Sequence, residues 1–282
     1  MINNITYLII RFLNYSLLFH TSDDENFDTL ETRQQCVLDN LRLSLIAIPL
    51  GNKIYYILTF KKSSPDLLKK ENFGFLFILD YDLKWGRKSP DFIESQVEKY
   101  VKNIEAQSIE KTKEQEEFLK QRISENNESM SVIRNKITHY TTIMLAFASA
   151  LVYLFTKTSA IYSSSVLILI YYYILLIITV QVVNLALFLR KGMLISSFYQ
   201  SSFKELRTSA YKKELTKSFY RDWFAKNDDV RYFAGIVKNA EKHLYRAICI
   251  GFIFFTLITL SSNENNQTDT LHSSEVYIVQ YL

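Results

Sequence analysis

At 282 residues, with 33 Lys plus Arg against 29 Asp plus Glu and a net charge of +4, the chain lacks the basic bias of a nucleic-acid binder. Its two cysteines, Cys36 and Cys249, provide neither a disulfide framework nor a thiolate metal site. Aromatics make up 15% of it, Tyr and Phe above all, which suits membrane interfaces and lipid-facing helices.

Residues 1–20 are apolar but have no basic leading segment, carry Arg11 in their middle and lack a small-residue cleavage site. They read as a strand or helix of a soluble domain, with a membrane-associated helix as the alternative, rather than as a secretory signal. All three prolines (Pro49, Pro65, Pro90) and three of the six glycines (Gly51, Gly74, Gly86) fall in the first 90 residues, so turn signals concentrate there. Phe27, Leu30, Val37, Leu38 and Leu41 recur at helical spacing behind Asp23 and Asp24 and predict a helix ending before Pro49. Gly51-Asn52 then makes a tight hairpin turn between LSLIAIPL and KIYYILTF, and FGFLFILDYDL (73–83) is a third β-rich run.

Ser89-Pro90-Asp91 starts a helix by residue type: a capping hydroxyl, a proline where no N–H is needed, then an acid at the positive end of the dipole. No breaker follows until Phe155, which predicts a long stalk. Leu119, Ile123, Asn126, Met130, Ile133 and Ile137, continued by Tyr140 and Met144, step alternately by four and three, the heptad rhythm of a coiled-coil seam. Upstream, Ile93, Val97, Val101 and Ile104 form a second stripe, but the nearly all-polar IEKTKEQEEF between the two can interrupt the supercoil.

The expected spans are residues 141–155, 166–189 and 245–260. The middle one is 24 residues without a charge, about 36 Å of helix against roughly 30 Å of hydrocarbon. The third must let Arg246 snorkel outward. The link 156–165 holds one basic residue, Lys157, whereas residues 190–246 hold 13 Lys plus Arg against 6 Asp plus Glu, and the last 22 residues hold no Lys or Arg. The positive-inside rule therefore predicts a cytoplasmic amino terminus and an external carboxyl tail. Within 190–244, two helices are expected to part at Asn227-Asp228-Asp229, with basic residues interleaved among Phe198, Phe203, Tyr211, Phe219, Tyr220, Trp223 and Phe224.

The predicted class is thus a mainly α membrane protein with a small α/β (α+β) domain over residues 1–88, a stalk helix over 89–139 and a transmembrane hairpin over 140–189. A basic cytosolic helical hairpin over 190–244, a third transmembrane helix over 245–260 and an extracytoplasmic tail over 261–282 complete it. No phosphate loop, H-E-x-x-H, G-x-S-x-G or paired C-x-x-C occurs, so no catalytic, cofactor-binding or metal residue is expected and the chain reads as a non-enzyme. Asp80-Tyr81-Asp82-Leu83-Lys84, with Pro65-Asp66 upstream, loosely resembles the P-D…D-x-K pattern of restriction-type nucleases; this implies a metal-dependent nuclease only as a minor alternative.

Gln181 and Asn184, three residues apart in the second span, share a face that must meet protein or water, and Thr179 lies near them. His139 and His243 each precede a span. The layout is similar to that of membrane effectors of bacterial defence systems, in which a small sensor is joined to a few spans. That resemblance implies an inner-membrane sensor or effector that oligomerises through its stalk, answers a small-molecule or protein trigger at its amino-terminal domain and perturbs the bilayer. A structural scaffold tethered to the membrane is the alternative.

Overall fold

The computed structural model describes residues 3–28, 30, 40–63, 66–158, 165–194 and 214–279. The chain is mostly helical, 71% helix, with a small antiparallel sheet. Three helices, Ile109–Thr156, Ile168–Met193 and Glu214–Thr259, are long and apolar enough to cross a membrane, which fits an integral membrane protein. The chain forms two compact units, one of residues 1–79, 142–186 and 241–282, the other of residues 80–141 and 187–240.

The first unit opens with helix α1, Asn4–Leu13. Strands β1 (Leu18–Asp23), β2 (Leu41–Leu50), β3 (Lys53–Lys61) and β4 (Phe73–Asp80) follow in a sheet of order β1-β2-β3-β4. The β2–β3 hairpin is where the turn chemistry placed it, and the β run expected over 73–83 begins at Phe73 but ends at Asp80, since Asp82 already opens a short helix. Leu50 pairs with Lys53 across a two-residue loop whose first residue, Gly51, has φ 61°, as a type II′ turn requires. β1 pairs antiparallel with β2 and buries four consecutive residues, His20 to Asp23. Its outer edge is covered by Asn14, which donates to the Thr21 carbonyl and accepts from the Thr21 N–H, both at 2.8 Å. One amide thus replaces a missing strand.

The helix expected over 27–41 lies largely outside the described residues, and both of its ends are otherwise. Phe27 is in a turn with φ 52°, and Leu41 opens β2 opposite Asp23. Apolar stretches of α4 (Ile109–Thr158), α5 (Ser165–Met193) and α6 (Glu214–Val279) complete this unit. Their core gathers Leu151, Tyr171, Leu175, Ile178, Ala247 and Phe254, with Leu17 of the β1 approach among them. Tyr171 meets Phe254 edge-on at 5.9 Å and donates to the Leu257 carbonyl.

The second unit holds α2 (Asp82–Trp85), α3 (Pro90–Glu105) and polar stretches of α4 and α6. α3 begins as its sequence dictates, with Ser89 accepting from the Phe92 N–H and Pro90 next. The uninterrupted stalk does not form. α3 ends at Glu105, and Ser108 starts α4 afresh by accepting from the Lys111 N–H. The chain reverses there: Tyr100 donates to Gln115 at 2.9 Å, and Gln115 donates to Gln107. Ser108, whose hydroxyl competes for backbone groups inside a helix but caps one well, favours the break between Glu105 and Ile109.

The expected break at Asn227-Asp228-Asp229 is also absent, because α6 runs through it. Those acids serve a neighbouring segment instead of a helix start. Asp228 accepts from the Lys88 N–H at 2.9 Å and Asp229 pairs with Arg87 at 3.1 Å. Ile93, Val97 and Ala225 form the core between α3 and α6, flanked by Val101, Tyr220 and Phe224, and Arg221 grips Glu94 through two nitrogens at 2.7 and 3.1 Å.

Replacing Ile93 by Ala should cost about 2–5 kcal/mol, the range for deleting a buried Ile side chain. Thermal unfolding of the full chain in detergent measures it, and an unchanged midpoint would show that α3 is not packed on α6.

Candidate functional site

The polar residues picked out in the second span lie in the first unit, and two of the three are drawn into its buried polar centre. Asn184 is fully buried. Its oxygen accepts from the Gly51 N–H at 2.7 Å and its amide donates to the Pro49 carbonyl at 2.9 Å and to Val180 of its own helix at 2.7 Å. The side chain thereby satisfies the backbone at the closed end of the β2–β3 hairpin, where the turn leaves strand groups without ladder partners. Gln181, about one turn earlier, places its Oε1 2.7 Å from Nδ1 of His243, and both residues are buried. Since a carbonyl oxygen only accepts, the ring carries its proton on Nδ1. Thr179 stays apart from them, donating to the Leu175 carbonyl in its own helix.

Next to this pair lies a charged cluster. Asp28 is buried and faces Lys242 at 3.4 Å and His20 at 3.8 Å. A left-handed turn brings it there: Phe27 and Asp28 have φ 52° and 65°, and the Asp28 N–H returns to the Asp23 carbonyl at 2.8 Å. Burial alone would raise the Asp28 carboxyl, but Lys242, His20 and Arg246, with the Tyr56 hydroxyl, hold it below the usual carboxylate range. Burial lowers His20 to about 4; Asp28 opposes this, and Arg246 and Lys242 add to it. At neutral pH the cluster is therefore a carboxylate between two cations with a neutral imidazole beside it. Arg246 also lies over the Tyr15 ring at 5.6 Å. The snorkelling expected of it is met by a carboxylate and an aromatic face within the same unit.

Other candidates are occupied in plainer ways. Asp80 accepts from the Asp82 N–H at 2.9 Å, Asp82 pairs with Lys191 at 2.5 Å, and Asp66 pairs with Lys69. Among the described residues no three His, Cys, Asp or Glu side chains gather as a metal site would need, and Pro65 lies outside those residues. His139 is exposed, whereas His243 is buried with Gln181 as a hydrogen-bond partner.

In the second unit the heptad seam is engaged within the chain. Leu119, Met130, Ile133 and Ile137 are buried, Ile123 and Asn126 partly so. Thr216 donates to Glu116, and Gly192 lies so close to Ile137 that a Cβ there would come within 2.8 Å of its Cδ1 and oblige that side chain to shift. Asn126 and Met130 line a polar cavity of about 410 Å³ with Arg134, Lys226 and Asp229. Of the interleaved aromatics, Tyr220 stacks on Tyr100 at 3.9 Å and Phe224 carries Lys88 at 4.5 Å. Phe198, Phe203 and Tyr211 lie outside the described residues.

Sequence reasoning missed His20, Asp28 and Lys242. The available signal was Arg246, which needed an anion; the chain offers 29 acids, and only the fold selects one. Comparison with protein-family models, with curated proteins and with solved structures finds no match to this chain.

Two measurements probe the site. Asn184→Leu strands the Gly51 N–H and the Pro49 carbonyl, so stability should fall by about 1–3 kcal/mol per group and amide exchange should quicken at residues 50–52; unaltered exchange there would refute the clamp. Both His20 and Asp28 have folded pKa values below their unfolded ones, so their stabilisation is complete above the unfolded pKa and is lost as pH falls through the folded one. For His20 that window runs from 6.5 down to about 4. Acidification from about pH 7 to about pH 5 should cost about 2 kcal/mol, and His20→Gln should flatten that slope. A wild-type profile level over this range would contradict the buried neutral imidazole.

Proposed function

We propose that the chain is a non-enzymatic integral membrane sensor or effector, held at rest by polar latches between its sheet and its spans. The observation that carries this reading is the Asn184 clamp, which joins the β2–β3 hairpin to the second span through two hydrogen bonds. A trigger that moves the hairpin withdraws both partners and leaves a buried amide with only its own helix to bond. Gln181 and His243 form a second buried polar pair. Rearrangement of the spans, with perturbation of the bilayer, relieves that cost.

Self-association through the stalk belongs to the triggered state in this reading. Because Leu119, Met130, Ile133 and Ile137 are buried within one chain, α4 must exchange its present packing for a second α4, which the heptad spacing permits. The charge distribution supports a cytoplasmic position for the basic segment 190–246 and an external carboxyl terminus. A membrane-tethered scaffold is favoured instead by one fact: Gln181, Asn184 and Thr179 each have a partner in the resting chain and leave no polar pathway to explain.

Membrane potential separates the two readings. In bacteria induced to equal levels of membrane-inserted protein, Asn184→Leu should depolarise cells without any trigger while the wild type does not. Equal, undisturbed potential for both chains would remove the effector reading and leave the scaffold.

A further inference from the structure

α1 presents two apolar faces. The inner face uses Tyr7 and Ile10, which pack on Leu30 and Leu41, and the Tyr7 hydroxyl donates to the Leu30 carbonyl at 2.9 Å. The outer face is a stripe at helical spacing, Ile5, Leu8, Ile9 and Phe12, and these residues are 53–71% exposed. With the inner face fixed, the stripe cannot turn inward. Four large apolar side chains on ten residues are too many for a surface that meets water alone.

The depth of this helix follows from what comes immediately after it. Ser16 shares a 2.6 Å hydrogen bond with Tyr173, and Leu17 belongs to the core that contains Tyr171, Leu175 and Ile178. Arg190 and Lys191 mark one end of the apolar stretch of α5. Counting back roughly 30 Å of hydrocarbon from there at 1.5 Å per residue reaches the neighbourhood of residue 169, so Tyr173 lies inside that layer about 6 Å from its end, and a helix tethered at Ser16 lies at the border of acyl chains and headgroups. Leu13, the last residue of α1, is three residues from Ser16 and so at most about 11 Å from it. In the same unit, Leu169 and Leu176 of α5 and Phe252 and Phe255 of α6 are also exposed, as lipid-facing residues must be.

We infer that α1 is a lipid-contacting element in addition to the three spans, its Ile5-Leu8-Ile9-Phe12 stripe lying against the acyl chains of the bilayer. Arg11, beside the Tyr7 ring at 5.7 Å, reaches the headgroups by extending its stem. α1 is too short to cross, at about 15 Å, and acts as an embedded amphipathic helix.

Tryptophan quenching by lipid tests this on the full chain. Trp85 and Trp223 are replaced by Phe, Phe12→Trp is introduced, and the protein is reconstituted in dioleoylphosphatidylcholine or in phosphatidylcholine brominated in its acyl chains. The brominated lipid should remove most of the emission of the introduced indole, and aqueous iodide should leave it intact; Leu8→Trp should behave alike should the first variant fail to fold. A chain retaining only Trp223 supplies the unquenched reference. Strong iodide quenching would place the stripe in water, and protection from both quenchers would place it against protein, such as a second copy of this chain. Either result overturns the inference.

Discussion

An amide buried among apolar helices has no water to return to, and this constraint organises the first unit. Asn184 and Asn14 solve two versions of the same problem. A four-stranded open sheet leaves backbone groups unpaired along β1 and at the β2–β3 turn, and in apolar surroundings each costs more than a typical hydrogen bond contributes. Asn14 bonds both groups of Thr21 on the β1 edge, and Asn184 bonds Gly51 and Pro49 at the turn. The primary amide suits both places because it presents one acceptor and two donors in the geometry of a peptide.

The ionic cluster extends this logic from dipoles to charges. Lys242 and Arg246 stand one turn apart on α6 and would repel each other in isolation. Asp28 sits between them electrostatically, and the cost of burying its carboxylate is met by two cations and the Tyr56 hydroxyl. A neutral His20 fills the remaining volume and cannot take a proton without adding a third positive charge beside them. Removing the carboxylate alone would leave two half-buried cations one turn apart without their anion, which is costlier than removing the whole cluster.

The second unit is held by different means. Its aromatics and cations alternate because they stack: Tyr220 on Tyr100, Lys88 over Phe224 and Arg87 over Tyr232 and Phe233. A pattern of basic and aromatic residues suits nucleic acid or lipid headgroups in sequence, yet each of these rings meets a cation or a ring from its own chain. The heptad seam behaves likewise, since the same apolar spacing serves a partner helix from the same chain or from another.

Local chemistry made the hairpin at Gly51-Asn52, the start of α3 at Ser89-Pro90 and the three long apolar helices legible in the sequence, because a turn, a cap and a hydrophobic span are decided by residues within a few positions of one another. It also marked Gln181 and Asn184 as groups requiring partners. What those partners are was settled only by tertiary structure: a hairpin tip more than a hundred residues away for Asn184, and His243 on another helix for Gln181. The same holds where local reading failed. Asp228 and Asp229 resemble a helix start, and only the arrival of Arg87 and Lys88 makes them mid-helix acceptors instead. Residue type determined which groups needed a bond; the folded chain alone determined which of many chemically equivalent donors and acceptors came within 3 Å.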